Sequence, residues 1–265
     1  MTTILIFFAG HWLAAVLAQT LFLHRYASHG YFTMTPFWEK VAYAFTMLAQ
    51  GPSFLNPRAY ALMHRMHHAY SDGERDPHSP VQQKNFFKMM WQTALTFDGI
   101  QRGQITVPEK FDGNVPTWPA LDRLSGSWFY RIAAGSLYAF FYMAFVPAGS
   151  EWLYALLPLH WLMGPIHGAM VNWAGHMYGY VNFRNSKDHS KNTLPIDILI
   201  GGELYQNNHH GRANSPNFAK RWFEIDYGYQ VLRLLAAMRV IRFTEKSLKA
   251  VRPLPKLRGL KPVTG

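Results

Sequence analysis

His64-Arg65-Met66-His67-His68 carries three imidazoles in five residues. Read as a helix, it sets positions 64, 67 and 68 at i, i+3 and i+4, which gathers the three rings on one face over about one turn. Three neutral imidazoles converging on one point make a metal site. A solvated helix with surface histidines is the plain alternative, and the surrounding chain bears on the choice.

The 265-residue chain is 49% hydrophobic and 16% aromatic, enough for a sizeable buried core. Long uncharged stretches alternate with charged ones. The absence of cysteine excludes a disulfide framework, a thiolate metal site and a cysteine nucleophile, so nitrogen and oxygen must hold any metal. Of the thirteen histidines, eight lie at four places in the chain, seven of them in tight groups. A formal charge of +11 fits nucleic acid, anionic headgroups or an acidic substrate. No nucleic-acid motif is present and the basic residues flank apolar stretches, so no nucleic acid is expected as a partner.

Residues 4–23 (ILIFFAGHWLAAVLAQTLFL) hold no charge and, as a helix, cross roughly 30 Å of hydrocarbon. Met1-Thr2-Thr3 lacks the basic residue of a signal peptide, so the stretch reads as a membrane span. It runs into His24 and His29, whose spacing of five sets the rings about 140° apart on an ideal helix. They share a site only where the helix ends or with help from side-chain reach. The apolar segment around 38–55 is broken by Gln50-Gly51-Pro52, too short to span and suited to a re-entrant or interfacial position. A full crossing there would separate His24 and His29 from His64, His67 and His68.

A turn-rich acidic loop, Ser71 to Pro80, follows the central box. Its acids are either outer partners of the ligand histidines or a solvated loop, in which His78 and, further on, His189 are expected to be exposed. Residues 85–97 are amphipathic. Two more spans, 129–148 and 152–175, form a hairpin across Gly149-Ser150-Glu151, and Asn172 and His176 lie on one face at its mouth. Gln206-Asn207-Asn208-His209-His210 repeats the spacing of the central box with glutamine in the first place. Residues 228–243 read as a basic amphipathic helix and 251–265 as a basic, Pro-containing tail. Segments 24–128 and 176–265 hold 25 of the 26 Lys and Arg, so the positive-inside rule sets every histidine group on the cytosolic side and the N-terminus outside.

The fold expected is therefore all-α and integral to the membrane, with about three spans and a cytosolic helical cap. Eight histidines from four places meet at one membrane face, about twice what one closed tetrahedral site takes. Two metals follow, and imidazole alone does not choose among iron, zinc, copper and nickel.

The order HxxxxH, HxxHH, helical hairpin, Asn-x-x-x-His and (Gln)xxHH, with DPHSP after the second box and GGELYQNNHH as the third, resembles the membrane fatty acyl desaturases over roughly residues 5–245. The likeness is to the acyl-CoA Δ9 (stearoyl-CoA) branch in its short bacterial form. It implies one desaturase domain over 1–250 and a non-haem di-iron centre. With O2 and two electrons from an external donor, such as a ferredoxin or a cytochrome b5-like protein, that centre would remove two hydrogens from a saturated acyl chain and leave a cis double bond. The ligands implied are His24, His29, His64, His67, His68, His176, His209 and His210, with Asn172 reaching a metal through water. Gln206 stands where the family has histidine, so one ligand is missing or is replaced by the Gln206 amide oxygen, and Glu203 or His167 is a further candidate to fill the gap. Eukaryotic members carry two spans before the first box, and this chain has room for one. The short bacterial form implies the cytoplasmic (inner) membrane.

The substrate expected is acyl-CoA or an acyl lipid among the membrane lipids; the basic surface suits coenzyme A phosphates, headgroups or an acidic donor alike. A di-iron lipid or alkane hydroxylase uses the same boxes, and a non-catalytic metal-binding membrane protein is the reading from another class. His11 and His160, inside apolar spans, are expected to be hydrogen-bonded helix contacts and not ligands.

Overall fold

The computed structural model describes residues 1–184, 186 and 188–251; from Arg252 on, the expected tail lies outside them. The first element is one continuous helix, Thr2–Ser28, long and apolar enough to cross a membrane at roughly 40 Å. Its first part, α1 (Thr2–Leu17), is α-helical, and Ala18–Ser28 is wound as a π-helix. Leu5, Ile6 and Leu13 point outward, an apolar exterior suited to hydrocarbon.

After the short strand β1 (Phe32–Met34), α2 (Pro36–Gln50) starts at a Thr35 cap with proline in its first turn and stops at Gly51, whose φ is +50°. The Tyr138 hydroxyl occupies the place of a Gly51 Cβ, so the breaker also allows a close helix approach. Phe22, Leu23, Tyr43, Met47 and Phe54 pack α2 against the end of the first helix, each fully buried Leu or Phe worth about 1.5–3 kcal/mol. α3 (Pro57–Tyr70) has Asn56 as its cap, accepting from Ala59 N at 2.9 Å, and Pro57 in its first turn. Both are ordinary start signals. The single turn α4 (Pro80–Gln83) leads to α5 (Phe86–Gln101), α6 (Pro119–Ser125) and α7 (Trp128–Phe145). On α7, Ile132, Leu137, Phe140 and Met143 face outward.

The expected arm 152–175 is not one uniform helix. It runs as a 3-10 stretch, Glu151–Leu156, then α8 (Leu157–Trp161), α9 (Met163–Ala169), a π-turn at Met170–Ala174 and α10 (Gly175–Met177). Pro158 and Pro165 each remove an amide donor and crowd the preceding turn. After a long loop come α11 (Gln206–Gly211), α12 (Tyr227–Ala237), β2 (Ile241–Phe243) and α13 (Glu245–Val251). The helix expected over 228–243 therefore ends early: Arg239 takes φ +60°, and Phe243, Arg242 and Ile241 turn back to pair antiparallel with Phe32, Thr33 and Met34. This strand pair departs from a strictly all-α fold and ties the C-terminal part to the loop that follows the first histidine pair.

Candidate metal centre

The π-helical winding resolves the spacing of the first pair. A π-turn closes i to i+5, and the His29 amide bonds the His24 carbonyl at 3.2 Å. Residues five apart thus stand one wide turn apart, and His24 Nε2 lies 3.1 Å from His29 Nε2. Arg65, inside the central box, faces away from the rings. It donates to the Ala27, Ser28, Phe111 and Gly113 carbonyls at 2.8–2.9 Å, satisfying carbonyls that the helix end leaves open and pinning α3 to the first pair.

The third box sits on α11. Its asparagines do structural work: Asn207 Oδ1 accepts from the Asn182 and Phe183 amides at 2.7 Å, and Asn208 Nδ2 donates to the Phe218 carbonyl and Glu224. Asp197 accepts from four amides of the 199–204 turn, in which Gly202 (φ +91°) passes so close to Asp226 that a Cβ would sit 2.7 Å from its carboxyl carbon. Buried Arg25, beside His24, donates to both Asp226 oxygens at 2.9 and 3.0 Å. That ion pair fastens the first box to the segment before α12, and Arg25 also donates to the Gly201 carbonyl in the turn leading to the third box.

Five histidines, His24, His29, His64, His68 and His209, have ring nitrogens all within 4.8 Å of one another, and so do His67, His176 and His210. In the larger group the Nε2 separations are 3.1 Å for His24–His209, 2.9 Å for His29–His64 and 2.8 Å for His68–His209. A cation with bonds of about 2.1 Å to nitrogen spaces ligands at right angles about 3.0 Å apart. Hydrogen bonds alone cannot satisfy these contacts. His24 engages Glu203 through Nδ1, which leaves its Nε2 a lone pair facing two further Nε2 atoms, and each neutral ring carries only one proton. In the smaller group, His176 Nε2 and His210 Nε2 are buried with no partner among the described residues. Both groups fit a bound metal ion.

Carboxylates orient four of the eight rings. Besides Glu203 on His24 at 2.5 Å, Asp76 meets His67 Nδ1 at 2.9 Å, Asp72 meets His176 Nδ1 at 3.1 Å and Asp188 meets His210 Nδ1 at 2.6 Å. The three aspartate hydrogen bonds each fix a tautomer, and they and the close Glu203 contact turn Nε2 inward, as outer partners of metal-binding histidines do. Burial opposes charge on these acids, yet the facing histidines outweigh it: Asp76 is held at about 2, and Asp72 and Asp188 lie well below the usual carboxylate range. Burial, then the neighbouring rings, pushes His29, His64, His68 and His209 well below an ordinary histidine, which keeps their lone pairs available.

Two of the loop acids, Asp72 and Asp76, reach the centre while Glu74 stays exposed. The expected exposure of His78 is overturned: it is 4% exposed, with both ring nitrogens unpartnered among the described residues, because the Asp76 carboxylate captures its amide and folds the loop inward. His189 is exposed as expected. Glu203 binds His24 and Thr20, and Gln206 donates Nε2 to the Glu203 carbonyl at 2.8 Å. His167 belongs to neither group and packs edge-on to Trp12. Asn172 lines a cavity beside His24, His64 and Glu203. His11 and His160 meet at 2.8 Å between Nδ1 atoms, with the Tyr138 hydroxyl on His11. Asp188 went unread because its pairing with His210 crosses an irregular loop and has no fixed spacing.

The cavity is about 760 Å³, within the range of small-molecule sites. His24 and His64 form part of its wall, and Leu55, Met63, Trp91 and Phe97 are among its apolar lining.

The family profile for "Fatty acid desaturase" matches residues 2–246. The Delta-9 desaturase-like 4 protein of Arabidopsis thaliana is 28% identical over 230 residues, covering 84% of this chain and 70% of the relative. The hex-5-enoyl-[acyl-carrier protein] acetylenase of Moorena producens (strain JHB) is 28% identical over 247 residues, 83% of this chain and 70% of its own length. The chloroplastic palmitoyl-monogalactosyldiacylglycerol delta-7 desaturase of Arabidopsis thaliana is 30% identical over 230 residues, 84% of this chain and 57% of its own. With two convergent histidine groups and a family match along nearly its whole length, this chain belongs to the fatty acid desaturase family.

Proposed function

We propose that this chain is an O2-dependent membrane fatty acyl desaturase that sets a cis double bond, at Δ9, into a saturated chain carried as acyl-CoA. The observation that carries this reading is the placement of His24 and His64 in the wall of an apolar cavity. The ions proposed are two irons, one held by His24, His29, His64, His68 and His209, the other by His67, His176 and His210. When bound, they supply O2 activation with two electrons from a separate donor protein. The residues of the chain do the rest. The cavity wall excludes water and aligns one CH2–CH2 pair along the histidine face. Glu203, Asp76, Asp72 and Asp188 hold four rings in the tautomer that leaves Nε2 free. The reaction removes two hydrogens from the acyl chain and, with the donor's two electrons and two protons from water, ends with O2 reduced to two waters.

In this reading Thr2–Ser28 crosses the membrane outside to inside and the hairpin of α7 with residues 151–177 returns. The outward apolar residues of both elements support that topology. The relatives' names span an acyl-carrier-protein substrate and a galactolipid; the choice of coenzyme A rests on the likeness of the histidine boxes to the acyl-CoA branch, and the basic cytosolic face is compatible with it. Expression in cells followed by fatty-acid profiling tests the function. New cis-monoenes support desaturation, hydroxy acids point to a hydroxylase on the same site, and no change despite iron loading and a donor sinks both. Feeding labelled acyl-CoA to membranes, with isolated phospholipid as the rival, tests the carrier.

A further inference from the structure

The two histidine groups are unequal. Five ring nitrogens converge at the first position and three at the second. One nitrogen of that difference traces to the opening residue of each turn: His64 begins the central box and Gln206 the third. Gln206 is buried, its amide nitrogen is bound to the Glu203 carbonyl, and its side chain lies against Gly175, the neighbour of His176. Even with its oxygen turned inward, an amide is a poorer donor than imidazole to iron, zinc or copper.

Among the described residues, the other polar groups nearby do not restore the count. Asp72, Asp76 and Asp188 are committed to Nδ1 of His176, His67 and His210. His78, although buried and unpartnered, groups with His67 and Asp76 but not with His176 or His210. A five-nitrogen shell approaches closure, whereas three protein donors leave positions open to water and to small ligands.

Resting on the dimetal reading above, we propose that the three-histidine position holds its ion more weakly and exchanges it faster than the five-histidine position, and that Gln206, in place of a fourth imidazole, adds to this difference. The second ion is then the one lost first when metal is scarce, so its occupancy switches the enzyme without unfolding the site.

The test uses the full-length, detergent-solubilised protein, stripped of metal and reloaded with Co(II), with bound cobalt counted during a challenge with EDTA. Wild type is expected to bind two ions and release one at least about tenfold faster than the other, the size of effect that even an outer partner of a metal ligand commands. Gln206→His should slow the fast phase by about tenfold or more and leave the slow phase in place. His210→Ala should bind one ion and show only the slow phase. Two ions leaving wild type at one rate, an unchanged fast phase in Gln206→His, or loss of the slow phase in His210→Ala would overturn the proposal. Fewer than two ions on wild type at saturating Co(II) would instead refute the dimetal reading, and the inequality with it.

Discussion

His24 Nδ1 lies 2.5 Å from Glu203 Oε2, a contact between the first helix and the loop before the third box. Burial resists charge on Glu203, but His24 and Arg25 beside it hold the carboxyl below its ordinary range. The pair therefore keeps His24 with Nε2 facing the other rings. Glu203→Gln is expected to lower affinity at the five-histidine position by about 10- to 100-fold, seen as earlier metal loss to a chelator, with activity falling in parallel. Unchanged affinity would show that Glu203 does not orient His24.

Arg25 and Asp226 form a fully buried pair between the first helix and the segment that precedes α12. Arg25→Ala strands the carboxylate without its cation, and removing one partner of such a pair destabilises by about 3–5 kcal/mol. Thermal unfolding in detergent should shift down accordingly. A shift no larger than that of the exposed control Arg102→Ala, whose pair with Asp98 is half in solvent, would count against this link.

His67→Ala and His210→Ala are expected to abolish desaturation and to reduce bound iron. Both rings belong to the three-histidine group, so removing one leaves two donors. Full activity in either variant would show that the residue is not a required ligand.

Acid should destabilise the metal-free protein at a pH where its surface carboxylates are still charged. Burial, only partly offset by Asp188 and reinforced by the neighbouring histidines, pushes His210 down to about 4, and burial likewise lowers His29, His64, His68 and His209 well below an ordinary histidine. Between about pH 6.5, where unfolded histidine titrates, and pH 4, the unfolded chain binds more protons than the folded one, so stability falls as pH falls. Unfolding midpoints that stay flat from pH 7 to 4 would contradict this. Bound metal should move the loss to lower pH, because protons then compete with the ion.

A reporter fused to the N-terminus is expected to map outside the cytoplasm, and one placed in the 102–118 loop inside it. A cytoplasmic signal from the N-terminus would refute the three-span topology.

The helical character, the long first helix, the short α2 segment and the three histidine boxes were legible in the sequence, because each is written in local terms: apolar length, a Gly-Pro break and i, i+3, i+4 spacing. Local rules also misplaced some features. An ideal helix sets His24 and His29 apart, and only the π-winding of Ala18–Ser28, held by Arg65 on the Ala27 and Ser28 carbonyls, brings them together. His78 looked exposed because its loop is polar, but that polarity is spent inside, on His67, His176 and the loop's own amides. The strand pairing of 32–34 with 241–243 joins segments about two hundred residues apart and has no local signal.

By itself, then, the sequence determined which rings are present and at what intervals along each helix, since intervals follow from backbone geometry alone. Tertiary structure decided how the rings divide into five and three and which carboxylate turns each of four of them. It also decided that His24 and His64 face an apolar cavity. Those features depend on contacts among segments distant in the chain, where packing and buried ion pairs, not spacing, fix the distances.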